Sequence, residues 1–295
     1  MIEAALAIVL GGVFNAAILF LVSAGLQLVF GVQKIVNLAC GSFYALGAYF
    51  GISAVQWALG AGTPRPLFLA VLLLSGVVLA AIGPVIERLL RTIYARDESF
   101  QMLLTFALVL MFEDILRIVW GPQTHVMGEG LYTLYGQLPL GAIKVPVYNL
   151  LVILAALAIA ILMGLFLART RFGRIVRATA ENREMSEALG VDMARVYARV
   201  FTLGTALGTV GGALVVTSTA ASLDMGIELI VDAFAVVVIG GLGSMRGAFV
   251  GALIVGVLKA VSIVTFPELE LLAVYVIVIA VLVLRPAGLF ARATA

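Results

Sequence analysis

The side chains able to do chemistry are few. The only histidine is His125, the only cysteine is Cys40, and the three lysines are Lys34, Lys144 and Lys259. No Ser/His/Asp set, metal-ligand cluster or catalytic carboxylate pair can be assembled from them, which argues against an enzyme. No lysine follows a glycine, so the G-x-x-x-x-G-K-[ST] phosphate loop is absent too. What remains is a set of polar side chains inside long apolar runs: Asn15, Gln27, Asn37, Ser42 and Ser244, together with Gln101, Thr202, Thr205 and Thr209. Such groups are costly in hydrocarbon, so each marks either a solute pathway or an interhelical hydrogen bond of roughly 0.6 to 2 kcal/mol. On the first reading, Asn15 and Gln27 share one span, Asn37 and Ser42 open the next, and together they line a wall along which a small polar solute slides. Glu113, Asp114 and Arg117 stand at i, i+1 and i+4, which predicts a Glu113–Arg117 ion pair along one helix face. Asp232 reads as a helix cap near the outer end of its span. Cys40 reads as a small packing residue, and a lone cysteine excludes an intramolecular disulfide.

The elements that must carry these groups are bilayer-spanning helices. Of 295 residues, 63% are hydrophobic and 12% charged, and the mean hydropathy is +1.20, more apolar surface than a soluble domain can bury. Apolar stretches of about 20 residues favour helices, because backbone groups in hydrocarbon must be satisfied within their own segment. The alternation expected of a β-barrel is missing. The predicted fold is all-α, with spans at 5–30, 38–60, 67–86, 100–119, 147–168, 199–221, 229–245, 247–264 and 270–285. Gly240, Gly241, Gly243 and Gly247 interrupt the seventh and eighth, which makes them half-helices or one broken or re-entrant element and leaves eight or nine spans. The start, Met1 to Leu10, lacks a basic region and runs on apolar to about Phe30, so it reads as the first span and not as a cleaved leader.

Arginine placement orients the bundle. With the N-terminus outside, inner loops hold Lys34, Arg88, Arg91, Arg96, the run Arg169 to Arg199, Arg246, Arg285 and Arg292, and cytoplasmic loops keep such an excess. The C-terminus is then inside, and 121–146, with His125, is the largest outer loop: a connecting loop or a partner's docking place. A net charge of +2 with basic residues so localised speaks for membrane orientation and against nucleic acid.

The segment Arg169 to Arg199 is the longest polar stretch. Met185, Ala188 and Leu189 form a small apolar stripe on a helix predicted over Ala180–Leu189, lying along the membrane surface. Gly190 ends that helix and Asp192 caps the next. Such a helix suits either an apolar groove on a cytoplasmic partner or lipid headgroups. Gly204, Gly208 and Gly212 recur every fourth residue, as do Gly243, Gly247 and Gly251, and Gly47 with Gly51; these rows let helices approach closely in lipid.

Three blocks in order resemble the permease subunits of branched-chain amino acid ABC importers, the LivH and LivM type, with the LivH-like branch nearer: Gly25 to Tyr49 (GLQLVFGVQKIVNLACGSFYALGAY), Arg169 to Val191, and Asp232 to Gly251 (DAFAVVVIGGLGSMRGAFVG). The resemblance covers nearly the whole chain. It implies one transmembrane domain over 1–295 whose 169–199 loop seats in a cleft of an ATPase, with Glu181, Asn182, Ala188, Leu189 and Gly190 matching that pattern and Met185 on the same helix. It also implies two ATPase subunits that bind ATP and magnesium, a second related permease, an extracytoplasmic solute-binding protein, and a home in a bacterial or archaeal inner membrane. Where many members have Ala-His-Gly-Glu, this chain has Ala39, Cys40, Gly41 and Ser42, so no role of that His or Glu carries over. The implied solutes are leucine, isoleucine and valine; related permeases serve urea, short amides and aromatic acids. An ion-coupled secondary carrier is the rival transporter class, disfavoured because mid-span carboxylates are scarce.

Overall fold

The first apolar run forms one helix, α1 (Ile2–Gln33). It stops at Lys34, a non-glycine residue in the left-handed region with φ 58°, a conformation that costs on the order of 1 kcal/mol or more. The structure is a computed structural model and describes residues 2–94, 96–127, 135–140, 143–265, 267–285 and 288–290. Of the outer loop predicted over 121–146, residues 128–134 and 141–142 lie outside the described set, as does Arg292.

After α1 come α2 (Cys40–Gly60), α3 (Phe68–Leu79), α4 (Gly83–Arg91) and α5 (Glu98–Trp120). A 3₁₀ turn over Ala80–Ile82 joins α3 to α4, where Pro84 has no amide to offer the carbonyl of Ala80. A short antiparallel pair, β1 (Gln137–Leu140) and β2 (Ile143–Pro146), aligns Gln137 with Pro146 and Leu140 with Ile143. Then follow α6 (Val147–Arg169), α7 (Arg171–Glu181), α8 (Arg183–Ala188), α9 (Met193–Val215), α10 (Met225–Gly240), α11 (Met245–Thr265) and α12 (Glu270–Leu284). Among the described residues, five helices are long and apolar enough to cross a membrane: Leu6–Gln33, Phe68–Arg91, Val147–Arg169, Met193–Val215 and Met245–Thr265. A shorter apolar helix covers Leu272–Leu284.

The helix at the centre is α9, buried over 72% of its apolar window, whereas α6 is buried over only 11% and lies at the periphery. Helix α9 begins at Met193, earlier than the predicted 199, because Asp192 Oδ1 accepts the Arg195 amide at 3.1 Å and caps it there. It runs parallel to α2, Gly47 meeting Thr209 and Gly51 meeting Ala213, and antiparallel to α1, Gly25 meeting Gly204.

At Gly240 to Gly247 the backbone breaks between two helices: α10 and α11 fold back on each other, with Gly240 against Gly247 and Gly251 against Val236. Gly241 (φ 91°) and Gly243 (φ 79°) make the turn between them. A second non-helical stretch within the bundle lies at Lys34–Ala39, in the gap between the spans predicted to end at 30 and restart at 38. At its start Gln33 Nε2 donates to the Tyr197 carbonyl at 3.1 Å, and at its end the Cys40 carbonyl lies beside Gly208. The segment therefore climbs about 16 Å along α9, from position 197 to 208 at about 1.5 Å per residue. Ile35, Asn37 and Ala39 are buried, yet the amides of Ile35, Val36, Asn37 and Leu38 find no acceptor among the described residues.

Candidate translocation and coupling sites

The polar segment after α6 does not form the single helix predicted over Ala180–Leu189. Helix α7 ends at Glu181, Asn182 turns the chain out of the helical region (φ −148°, ψ 102°), and its Oδ1 accepts the Met185 amide at 2.9 Å to start α8. An N-cap side chain competes with helix continuation at that position, which is why one predicted helix becomes two. Gly190, at φ 84°, closes α8 in the left-handed conformation. Ser186 is tucked inward, its hydroxyl on the Asn182 carbonyl at 2.8 Å, while Met185 is 57% and Leu189 77% exposed. Glu181, Asn182 and Ala188 are exposed as well. The result is an apolar knob on a polar, capped loop.

A polar network that the sequence reading missed links this loop to the bundle. Arg183 lies over the Tyr197 ring at 5.5 Å. The Tyr197 carbonyl accepts from Gln33, and the Tyr94 hydroxyl reaches Gln33 Oε1 at 3.3 Å and Glu87 Oε1 at 3.4 Å. Glu87 is fully buried and takes a two-pronged bond from Arg91, with Nε at 3.0 Å; Arg91 also donates to the Ala194 carbonyl at 3.1 Å. Burial, with the Glu87 carboxylate beside it, pushes the Tyr94 hydroxyl well above its ordinary range, so it stays a donor. The i, i+4 spacing of Glu87 and Arg91 was the signal available in the sequence.

Three of the five predicted pathway residues spend their side chains on backbone groups. Gln27, 1% exposed, clamps the α10–α11 turn: its Nε2 donates to the Gly241 carbonyl at 2.9 Å and its Oε1 accepts the Gly243 amide. Ser244 Oγ accepts the Gly247 amide at 3.0 Å, which caps α11. Asn37 Oδ1 accepts the Ala39 amide at 3.1 Å. Asn15 is half-buried on α1. Ser42 borders a cleft shared with Glu113. Of the predicted packing glycines, Gly204 meets Gly25, Gly208 meets Phe43 and Cys40, Gly212 meets the Tyr44 carbonyl, and Gly243 meets Gly31.

The charged groups divide. Glu113 and Arg117 pair at 2.9 Å as their spacing predicts, and Asp114 stands 3.6 Å from Arg117. Asp232 is not a cap. It sits within α10 and pairs with Lys259 of α11 at 2.6 Å, because the antiparallel packing of the two helices brings the carboxylate and the ammonium to one level. The outer-loop residue His125 is stapled by reciprocal backbone bonds with Ala221, at 2.9 and 2.8 Å, and by its Nε2 on the Trp120 carbonyl.

Residues 8–282 match the family described as "Branched-chain amino acid transport system / permease component". Among curated relatives, the chain is 25% identical over 280 residues to the high-affinity branched-chain amino acid transport system permease protein BraD of Pseudomonas aeruginosa, covering 92% of this chain and 91% of that one. It is 26% identical over 282 residues to LivH of Escherichia coli (strain K12), with the same coverage. It is 24% identical to the probable branched-chain amino acid transport permease protein LivH of Methanocaldococcus jannaschii, covering 87% and 80%. Among solved structures, PsaBC from Streptococcus pneumoniae in complex with Fab aligns over 92% of this chain and 89% of that one, at TM-score 0.48 and 11% identity.

Proposed function

The chain belongs to the branched-chain amino acid transport permease family, and from that premise we propose that it is the transmembrane subunit of an ATP-driven importer that carries branched-chain amino acids inward by alternating access. Hydrolysis occurs on two separate ATPase subunits, which bind ATP and magnesium. A second, related permease completes the pore, and an extracytoplasmic solute-binding protein delivers the solute. The bundle sits in the inner membrane with eight or nine crossings, the N-terminus outside, and the 169–199 loop and the C-terminus inside.

The observation that carries this reading is the exposed apolar knob of Met185 and Leu189 on a loop capped at both ends. Large apolar side chains this exposed on a polar loop suit a partner's groove. Glu181, Asn182, Ala188 and Gly190 frame the knob as its polar and turning parts. Force applied there reaches the bundle through Arg183, Tyr197 and Gln33, which together touch α8, α9 and α1. The embedded Asp232–Lys259 pair favours an ion-coupled carrier, since embedded carboxylates serve such relays. The two readings separate in one assay: in energised vesicles, uptake that needs ATP and survives a protonophore supports the importer, whereas uptake that collapses with the proton gradient and ignores ATP overturns it.

A further inference from the structure

Between α1, α6 and α11 lies a cavity of about 220 Å³, walled by Ala17 and Phe20, by Ala156 and Leu157, and by Phe249 and Leu253. No side chain in its wall can hydrogen-bond a guest. It opens outward beside the peripheral helix α6, since Leu157 is 44% and Phe249 40% exposed. An apolar cavity of about 150 Å³ stays dry and takes benzene, so a larger one calls for hydrocarbon. Phe20 and Phe249 meet edge to face, their ring centroids 5.7 Å apart, at the end of the cavity where α1 is nearing its finish and α11 has just begun. That end leads to the α10–α11 turn, where Gly31 lies against Gly243.

The second observation, independent of the cavity, is the charge beyond that end. Arg246 precedes Phe249 and Leu253 at i, i+3 and i+7, on one face of α11. Helix α6 runs on from Leu157 to Arg169, about 18 Å at about 1.5 Å per residue, close to the roughly 15 Å half-thickness of a hydrocarbon core. There Thr170 turns the chain into α7, which packs on α1 and leaves Arg171 and Arg174 exposed, as Arg246 is. None of these three arginines forms an ion pair among the described residues. Their own segments offer no carboxylate either, for the chain has no Asp or Glu between Glu129 and Glu181 or between Asp232 and Glu268.

We propose that the cavity holds one acyl chain of an anionic phospholipid whose headgroup lies among Arg171, Arg174 and Arg246. The chain enters at the level of the arginines and reaches the cavity at mid-bilayer, a path that the length of α6 between Arg169 and Leu157 matches. Arginine suits a phosphate through paired N–H donors, and basic pockets between spanning helices recognise anionic headgroups. A phosphatidylcholine would bring its own cation to the same cluster, so the preference is for a net negative headgroup. The lipid fills the gap between the peripheral α6 and the bundle, and this role holds whichever solute the chain carries.

The test uses the full-length chain, with any subunits that accompany it from native membranes, in phosphatidylcholine vesicles. Each sample holds a trace of phosphatidylglycerol or of phosphatidylcholine carrying a diazirine at the end of one acyl chain. Illumination is expected to label the peptides that hold Ala156–Leu157 and Phe249–Leu253, at least about fivefold more with the phosphatidylglycerol probe, the factor that one arginine near an anionic headgroup is worth. Arg171→Gln/Arg174→Gln/Arg246→Gln should bring that probe down to the phosphatidylcholine level. Ala17→Phe, which fills the cavity, should suppress labelling by both probes there and leave it unchanged at Ile279 of α12, 60% exposed. Equal labelling of the wild type by the two probes overturns the proposal, as does a preference that inorganic phosphate abolishes, which would make the site one for a free anion. Absence of label from both peptides overturns it too, and means that a protein subunit covers the cavity. Thermal melting beside the wild type shows whether each variant is folded; should Ala17→Phe or the triple variant misfold, Leu157→Trp and Arg246→Gln replace them with the same expected directions, and unchanged labelling in both is the overturning result.

Discussion

Lys259 Nζ lies 2.6 Å from Asp232 Oδ2, joining α11 to α10 through side chains only 19% and 8% exposed. Breaking a buried pair by removing one partner leaves an uncompensated charge, at a cost of about 3 to 5 kcal/mol, whereas replacing both with apolar groups is often neutral. Asp232→Leu and Lys259→Met are therefore each expected to lower the thermal midpoint in detergent by several degrees, and the double variant to recover most of the loss. Single and double variants that melt alike would show that the two charges are not coupled.

The α10–α11 turn makes a second, local prediction. Gln27 spends both ends of its side-chain amide on the turn, at the Gly241 carbonyl and the Gly243 amide. Gln27→Ala strands the buried Gly241 carbonyl, worth about 1 to 3 kcal/mol, and frees the exposed Gly243 amide to water. Hydrogen exchange at residues 241–244 should accelerate at least tenfold while exchange in α6 stays as it was. Unchanged protection in the turn would mean the clamp is dispensable.

Helix existence was largely legible in the sequence, because apolar runs and charge placement are dictated by the hydrocarbon itself. Each predicted span has a helix near it, and among the described residues five meet the length and hydropathy a crossing needs. Backbone breaks were harder to read. The glycines at 240–247 signalled a rupture and produced a tight turn, while the gap read between 30 and 38 became a non-helical stretch at Lys34–Ala39 whose burial inside the bundle, without a glycine or proline, has no local sign. It exists because α2 packs parallel to α9 with Gly47 and Gly51 against Thr209 and Ala213, which fixes where α2 must begin. Asp232 failed for the same reason: its partner is 27 positions away, and only the fold-back of α11 pairs them. At the candidate site, Gln27 proved to be a clamp and Asn37 and Ser244 local caps, since a polar side chain in the bundle bonds a free backbone group nearby.

Glycine packing predicts a contrast within one chain. A Cβ on Gly212 would overlap the Tyr44 carbonyl, whereas one on Gly164 of α6 meets nothing within 4 Å. Gly212→Val should force α2 from α9 and cost about 1 to 3 kcal/mol or more, as overpacking does. Gly164→Ala should be neutral or gain up to about 1 kcal/mol of helix propensity. Monodisperse yield after detergent extraction reads both. A normal yield for Gly212→Val would mean that α2 and α9 are not held backbone to backbone.

The coupling proposal turns on the difference between holding α8 in place and being read by a partner. Asn182 holds α8, its side chain on the Met185 amide at 2.9 Å, so Asn182→Ala should cost about 1 kcal/mol locally and loosen the loop. Leu189, 77% exposed, holds nothing in this chain, so Leu189→Asp should leave the thermal midpoint within a degree of wild type. If the knob seats in an ATPase groove, burying a carboxylate there without a partner is prohibitive, and Leu189→Asp should abolish co-purification of a nucleotide-hydrolysing subunit from native membranes. Glu181→Ala combined with Leu189→Ala should likewise uncouple uptake. The same subunit recovered in wild-type amounts with Leu189→Asp, or unchanged uptake in the double variant, would remove the knob from the coupling path and leave the 169–199 loop as a surface element of the bundle.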